Sequence, residues 1–250
     1  MIKFFRRIRQ NLLMENKTGK YFKYAIGEIV LVVIGILIAL SINNWNEEVG
    51  KTKIEKEIVQ EIISDLNESR NKLIELSKND SGKLPEYIRS MKLVEDYFID
   101  QPVYNDSMAI HFSRIFSFSN IEYKITGYET LKSIGFNIIK DREIRKDIGI
   151  YFTQTVPQTY RQFELVEKEQ YEYLIEHQKK DFNTIFLDNS SERKVLQIPI
   201  DYKNLRQNRD FRQAVKMYRY ITDLYFQNTI ESLSETNKLI SKLEEYLKNY

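Results

Sequence analysis

Histidines and carboxylates are the residues of this chain that could do acid–base chemistry or hold a metal. His111 and His177 are the two histidines, and the chain has no cysteine. Neither histidine has the companion residue that a zinc site needs. The sequence also lacks a glycine-rich phosphate loop, a dinucleotide fingerprint and a nucleophile elbow. We therefore predict no metal, no cofactor and no catalytic residue, and we expect both histidines to have packing or surface roles.

Carboxylates crowd the stretch after residue 50, where Glu55, Glu57, Glu61 and Asp65 lie on one predicted helix. Acidic runs of this kind usually form a solvated helix face, so we expect these side chains to point into water. A carboxylate pair brought together by folding would still supply a general acid and a general base. The sequence thus favours a non-enzymatic protein, with an exported hydrolase as a weaker alternative.

An apolar run, AIGEIVLVVIGILIAL, begins at Ala25 and organises the chain. Residues 25–42 contain one charge, Glu28, and as a helix they would be about 27 Å long, close to the hydrocarbon thickness of a bilayer. Trp45 follows where an aromatic side chain fits the membrane surface as an interface anchor. A cleaved signal peptide is the alternative, because small residues flank Leu40, but the basic leader is very long for one. We predict a retained transmembrane helix at 25–42.

Charge is distributed unevenly around this helix. Residues 1–24 hold seven cations and one acid, a net +6, and subtracting this from the whole-chain +2 leaves about −4 for the remainder. Cations that precede an apolar span tend to stay in the cytoplasm. We therefore predict a single-pass inner-membrane protein, with a cytoplasmic amino end and a periplasmic domain at residues 43–250.

The basic tail, residues 1–24, begins with MIKFFRRIRQNLL, in which apolar residues recur at helical spacing among the cations. A short amphipathic helix of this type lies on anionic lipid, and each nearby cation contributes about 1 kcal/mol. Nucleic-acid binding is disfavoured because the adjacent membrane already offers phosphate groups, and a plain topology signal is the remaining alternative. The predicted lipid-facing cations are Lys3, Arg6, Arg7 and Arg9.

One side of the predicted transmembrane helix brings together an acid and two small residues. At about 100° per residue, Gly35 and Ala39 each lie about 20° from Glu28 around the helix axis. Small residues let membrane helices approach closely, and polar side chains form hydrogen bonds between them. We predict that Glu28, Gly35 and Ala39 form a helix-pairing face for a second copy or a membrane partner. The simpler alternative is that Glu28 snorkels toward Lys20, Lys23 or water.

Beyond the span, apolar residues at 3–4 spacing predict an all-α fold in which the helices form an antiparallel bundle. We expect the aromatic stretch from Tyr104 to Tyr128 to pack in the core, with a ligand pocket as the alternative. Residues 183–207 are expected to be irregular, with KVLQIPI as a candidate extended segment. The predicted helices are 51–77, 85–99, a short helix that Asp106 or Ser107 caps and that ends near Phe118, a short helix from Gly127, a long helix from Arg142 toward Phe182 that Pro157 kinks or breaks, and 210–247.

Cap residues delimit the helices around residue 135. Thr126 and Glu129 have capping-box spacing, so a helix should begin at Gly127. Gly135 can take the left-handed conformation that closes this helix, and Asp141 can cap the long helix that follows. Two helices around a glycine turn superficially resemble a DNA-reading unit, but the predicted exported location favours an ordinary helical corner.

Two stretches, ENKTGKYFKYAIGEIVLVVIGILIAL and TGYETLKSIGFNIIKDREIR, resemble the recurring stretches of a family of small single-pass membrane proteins. This family occurs in Gram-negative bacteria and is described as a domain of unknown function. The chain departs from its common Ser-Gly-Asn run, reading Ser-Ile-Gly-Phe-Asn at residues 133–137. The resemblance implies a membrane anchor and a helical exported domain, and it implies no substrate, cofactor or catalytic residue.

Two functional hypotheses follow. The leading one is a membrane-anchored, non-enzymatic periplasmic interaction or scaffold protein, acting through helix contacts in the bilayer and through the bundle surface. The alternative is a periplasmic sensory bundle that binds a small ligand and signals through a membrane partner. A solid apolar core with an exposed patch would favour the first hypothesis, and a buried polar pocket between helices would favour the second.

Overall fold

A computed structural model describes residues 18–79, 81–189 and 192–249, so the predicted lipid-facing cations of the tail lie outside the described residues. The chain divides into two compact units, residues 1–55 and 56–250. Within the described ranges the regular secondary structure is helical apart from one hairpin, which confirms the predicted all-α class, while the antiparallel bundle stays a prediction. The elements are α1 (Thr18–Ser77), α2 (Lys83–Asp100), α3 (Ala109–Ile115), α4 (Thr126–Ile134), α5 (Arg142–Ile150), α6 (Val156–Glu169), α7 (Ile175–Asp181), β1 (Phe182–Asn189), β2 (Glu192–Pro199), α8 (Tyr202–Gln207) and α9 (Arg209–Lys248).

In the first unit, α1 exposes its apolar side chains. The large apolar residues from Ile29 to Leu40 are 48–65% exposed. None of the 18 most apolar consecutive residues of this helix is buried. By length and composition, α1 is able to cross a membrane.

In the second unit, the carboxyl-terminal part of α1 buries one face with the predicted spacing. Ser69 occupies a position within this face, and its hydroxyl accepts a hydrogen bond from the Lys124 amide at 3.0 Å. The predicted end at Ser77 is confirmed, whereas the predicted start at residue 51 is wrong because the helix is continuous from Thr18. The buried apolar residues on this face are Ile58, Val59, Ile62, Leu66, Leu73 and Leu76.

The longest helix that begins in the second unit, α9, packs against α6 and α2. Asn208 caps its start by accepting hydrogen bonds from the Asp210 and Phe211 amides. The helix therefore exceeds the predicted 210–247 by one residue at each end. The apolar residues at 3–4 spacing on this helix face the core: Phe211, Val215, Tyr218, Tyr225, Ile240 and Leu243 are buried, while Ile221, Leu233 and Leu247 are partly buried against the core.

The predicted cap of the helix near residue 107 is wrong. Asn105, rather than Asp106 or Ser107, accepts a hydrogen bond from the Ser107 amide at 2.8 Å. This cap starts a single 3-10 turn that leads into α3, and α3 ends at Ile115 rather than near Phe118. Asparagine is as favourable a helix N-cap as aspartate or serine, so the sequence alone did not distinguish Asn105 from its neighbours Asp106 and Ser107.

The capping box predicted at Thr126 and Glu129 is also wrong. Helix α4 begins at Thr126, and no local side chain caps it. Instead, Asp65 Oδ2 on α1 accepts a hydrogen bond from the Gly127 amide at 2.8 Å. A Cβ at Gly127 would come within 2.7 Å of the Ile62 backbone nitrogen, so glycine is needed for this close approach. A carboxylate from another helix thus replaces the local cap.

The helix ends predicted at Gly135 and Asp141 are confirmed, while the predicted helix 85–99 extends over Lys83–Asp100. Gly135 has a positive φ of 108° at the end of α4. Asp141 Oδ1 accepts hydrogen bonds from the Glu143 and Ile144 amides at 2.7 and 2.9 Å, which caps α5. The long helix is interrupted as predicted, since a π-helical turn ends directly before the Val156-Pro157 pair and a second one separates α6 from α7.

Residues 183–207 are not irregular, because most of them form a hairpin and α8. Strand β1 pairs antiparallel with β2, with Phe182 opposite Pro199 and Asn189 opposite Glu192. The candidate extended segment KVLQIPI is confirmed up to Pro199, where β2 ends. Two runs of β-branched and aromatic residues separated by a few polar residues are a sequence signal for a hairpin. The helical patterns on either side of residues 183–207 made this signal easy to overlook.

Candidate interaction surfaces

The residues predicted to form the helix-pairing face lie along the apolar part of α1. Gly35 and Ala39 are exposed, and Glu28 is half-buried. A Cβ built at Gly35 meets no heavy atom within 4 Å, so a second helix could approach this surface closely. The predicted interface anchor, Trp45, is 69% exposed. The pairing role and the anchoring role stay predictions.

The carboxylates of α1 do not form the solvated face that the sequence predicted. Glu55 and Asp65 are buried, whereas Glu57 is exposed and Glu61 is half-buried. Asp65 serves as the cap of α4, which is a structural use of its charge. Among the residues that the structure describes, no group of three or more His, Cys, Asp or Glu side chains could hold a metal ion.

Both histidines pack against other side chains of the domain, as predicted. The Ser90 hydroxyl lies 3.1 Å from His111 Nδ1, and burial, together with the nearby Arg114 charge, lowers the pKa of His111. His177 Nδ1 lies 2.7 Å from Asp181 Oδ2, and its ring contacts Phe211. The Ser90 contact joins α2 to α3, and the Phe211 contact joins α7 to α9.

The aromatic stretch from Tyr104 to Tyr128 packs mainly in the core, as expected. Phe112 is fully buried, with its ring centroid 5.8 Å from that of Phe98 and 5.4 Å from that of Phe182. Phe182 and Phe98 also contact Phe211 on α9. These rings occupy the space that a ligand pocket would need.

A line of buried hydroxyls along α9 is the feature that sequence reasoning missed. Threonines recur every seven residues on its buried face, and each hydroxyl donates to the carbonyl four residues earlier at 2.7 Å. Ser232 and Thr236 also meet the hydroxyls of Tyr123 and Tyr151, at 2.6 and 2.8 Å. The seven-residue spacing of threonine was the available signal. This hydroxyl seam comprises Tyr123, Tyr151, Thr222, Thr229, Ser232 and Thr236.

The hydroxyl seam is a packing device rather than a site of chemistry. Burial raises the pKa values of both Tyr123 and Tyr151, so these side chains stay neutral. Their hydroxyls bond to other protein hydroxyls, and buried polar groups that are satisfied in this way specify one arrangement of the helices. The seam therefore sets the position of α9 against Tyr123 and Tyr151.

An open groove lies where α9 meets the end of α6 and the π-helical turn after it. Its volume is about 440 Å³, and its apolar lining includes the exposed side chains of Tyr173 and Met217. Burial raises the pKa of Glu169, and the nearby Glu172 adds to the shift. No cation lines the groove among the described residues. This α6–α9 groove is lined by Glu169, Tyr173, Asp210, Gln213, Ala214 and Met217.

Comparison with known proteins places the chain in a group without an assigned activity. A family model described as a family of unknown function (DUF6090) matches residues 28–206. No curated protein and no solved structure matches the chain. The predicted resemblance to a family of unknown function is thereby confirmed, while the match does not test the amino-terminal signature or the membrane location.

Proposed function

This chain belongs to the family of unknown function DUF6090, and from that premise we propose that it is a membrane-anchored, non-enzymatic interaction protein. The apolar part of α1 spans the inner membrane, with the amino end in the cytoplasm. The second unit, a helical bundle, lies in the periplasm and presents a binding surface there. The protein has two contact surfaces, the pairing face of the anchor and the α6–α9 groove.

The observation that carries the proposal is the exposure of the apolar run in α1. Leu31 and Leu37 are 65% and 56% exposed, and their apolar neighbours are similarly open. An uninterrupted apolar surface of this size is unfavourable in water, so lipid or another apolar surface has to cover it. A helix satisfies its own backbone hydrogen bonds, which is the requirement for crossing a bilayer.

Charge supports the proposed orientation. The cations of residues 1–24 precede the apolar run, whereas Glu47 and Glu48 follow it. Lysine and arginine near the ends of a span are retained on the cytoplasmic side. With this orientation, the second unit faces the periplasm.

The lining of the α6–α9 groove is complementary to a partner surface that is apolar and positively charged. Glu169 and Asp210 bring two acids to a lining that also contains Tyr173, Ala214 and Met217. The raised pKa of Glu169 reflects the unfavourable burial of its charge, which a cation from a partner would relieve. The groove therefore fits an amphipathic helix that carries a lysine or arginine beside its apolar face.

The sensory alternative needs an enclosed polar cavity between helices. Within the hydroxyl seam, Tyr123 bonds to Ser232 at 2.6 Å and Tyr151 bonds to Thr236 at 2.8 Å. The rings around Phe112 fill the core where α2, α3 and β1 meet. These observations favour the interaction protein, whose contacts lie on surfaces.

Orientation is tested with two separate fusions to Tyr250 of the full chain, one of alkaline phosphatase and one of green fluorescent protein. We expect phosphatase activity and no fluorescence, because the first enzyme matures in the periplasm and the second protein matures in the cytoplasm. Fluorescence of the membrane fraction would contradict the proposed orientation, and release of the chain by alkaline carbonate would contradict the proposed anchor.

Partner binding is tested by crosslinking in intact membranes, followed by purification and mass spectrometry. Three variants of the full chain are compared with the wild type: a polyleucine span, Met217→Lys in the groove, and the control Leu93→Lys, an exposed apolar residue on α2. We expect a bilayer partner to be lost with the polyleucine span and a soluble partner to be lost with Met217→Lys only. Identical crosslinked proteins in all four samples would reject both surfaces.

A further inference from the structure

The hairpin presents two unlike strands. Strand β2 packs against α3, and its Gln197 and Pro199 are buried. Strand β1 is the outer strand of the two-stranded sheet, and its residues 183–187 are all exposed. Phe186 is 76% exposed, with Ile185 at 38% and Leu187 at 43%. The outer edge of β1 is thus apolar and open.

The alternation of hydrogen-bonded and non-hydrogen-bonded residue pairs between β1 and β2 shows which backbone groups lie on this open edge. The Ile200 amide donates to the Asp181 carbonyl at 2.9 Å, and the next opposed pair, Phe182 and Pro199, lacks an amide on the proline. Hydrogen-bonded and non-hydrogen-bonded pairs alternate along an antiparallel ladder. The odd-numbered residues of β1 therefore bond to β2. The even-numbered residues, including Thr184 and Phe186, direct their amides and carbonyls outward.

This edge lacks the features that keep an isolated edge strand unpaired. Monomeric proteins protect such edges with lysine, proline, bulges or a covering element. The segment Asn183–Leu187 reads NTIFL, with no charge, no proline and no glycine. An apolar edge of this kind is a template for another strand.

We propose that the outer edge of β1 pairs antiparallel with β1 of a second copy of this chain. The same residues serve both copies in such a pairing, so the contact is self-complementary. A two-fold axis at Phe186 sets Phe186 against its copy and Ile185 against Leu187, which matches all three exposed apolar residues. It also sets Asp188, the one acid of β1, against Thr184. Parallel pairing in register would place the two Asp188 residues side by side.

The size of the contact explains why the partner is a second anchored copy. The exposed parts of residues 185–187 amount to roughly 300 Å² per copy, so a pairing covers roughly half of the smallest area that holds a stable complex in solution. Chains held in one membrane meet at a far higher effective concentration than chains in solution. The inference therefore rests on the anchor of the proposed function.

The absence of cysteine makes the pairing directly testable. Two differently tagged full-length chains, one with Ile185→Cys and one with Leu187→Cys, are produced together and oxidised in native membranes. Opposed residues in a strand pair lie within disulfide range, whereas residues offset by two positions are about 7 Å further apart along the strand. We expect the mixed pair to crosslink at least fivefold more than either variant paired with itself.

Two further variants separate pairing from chance collision. Phe186→Lys, added to both chains, adds a charge to the edge and should abolish the mixed crosslink. Leu93→Lys, an equivalent change on α2, should leave it intact. Equal yields from all three cysteine combinations, or higher yields from the self-combinations, would overturn the pairing. Carbonate extraction of the same samples tests the anchor separately. If carbonate extracts the chain from the membrane while the mixed crosslink persists, the anchor is rejected and the strand pairing is retained.

Discussion

The two units of this protein handle apolar side chains in opposite ways. In the first unit, Leu37 is 56% exposed and has no packed core around it, while in the second unit Leu66 is fully buried. Both leucines lie on the same helix, α1. The comparison shows that the same residue type on one continuous helix serves two environments, and that the neighbouring sequence decides which one.

The difference follows from the pattern of polar residues. Around Leu37 the apolar residues are uninterrupted on every side of the helix, which is typical of a segment that apolar surroundings cover completely. Around Leu66 polar residues occupy the other sides, so one face alone is buried. A helix with one apolar face has to pack against other elements, and the second unit provides them.

The largest expected effect compares these two leucines directly. Leu66→Ala should lower the free energy of unfolding of the second unit by about 2–5 kcal/mol, because it leaves a cavity in the core. Leu37→Ala should leave that free energy unchanged within about 0.5 kcal/mol. Near-ultraviolet circular dichroism of the full chain in detergent, during urea denaturation, measures both. Equal destabilisation by the two variants would mean that the units are not distinct.

A smaller effect concerns the close approach of α4 to α1. Gly127→Ala should destabilise the second unit by about 1–3 kcal/mol, since the added Cβ would lie 2.7 Å from the Ile62 backbone nitrogen. Gly149→Ala is the matched control, because Gly149 is helical and a Cβ there meets no heavy atom within 4 Å. The control should stabilise the protein by up to about 1 kcal/mol. A Gly127→Ala variant as stable as the wild type would show that the contact is loose.

Alkaline pH should weaken the second unit while leaving the exposed apolar run unaffected. Burial raises the pKa of Tyr202 from 10.0 to about 12, and it raises the pKa of Tyr151 as well. Between pH 10 and 12 the unfolded chain loses these protons and the folded chain keeps them. The free energy of unfolding therefore falls as pH rises, by at most about 1.4 kcal/mol per pH unit for each such tyrosine.

Urea denaturation at half-unit steps from pH 9 to 12 measures this dependence. Tyr151→Phe should make the decline shallower, because one raised pKa is removed. Tyr173→Phe, at an exposed position, is the control and should follow the wild type. A wild-type stability that does not change across this range would show that the buried tyrosines ionise as easily in the folded protein as in the unfolded chain.

Much of the fold followed from local patterns. The buried face of α1, the length of α9, the glycine at the end of α4 and the Asp141 cap all depend on residues a few positions apart, and each was predicted. The predictions at Asp106, Thr126 and residues 183–207 were wrong. At Thr126 the reason is long-range, because the residue that caps α4 is Asp65, 62 positions before the Gly127 amide that it accepts from.

The proposed interaction surfaces also differ in whether local sequence patterns could predict them. The pairing face of Glu28, Gly35 and Ala39 is a prediction that comes from helical phase alone. The α6–α9 groove was not, because Glu169 and Met217 come from segments that are far apart in sequence. The open edge of β1 depended on knowing which strand α3 covers, and the sequence carries no local mark of that choice.

By itself the sequence determined an apolar helix of membrane-spanning length, the uneven charge around it and a helical domain, since these depend on composition and on the 3.6-residue period. Only the tertiary structure decided that Asp65 is a buried cap, that hydroxyls line α9 and that β1 keeps an open edge. Those features depend on which distant segments meet, and contact between distant segments is settled by packing of the whole domain rather than by any local preference.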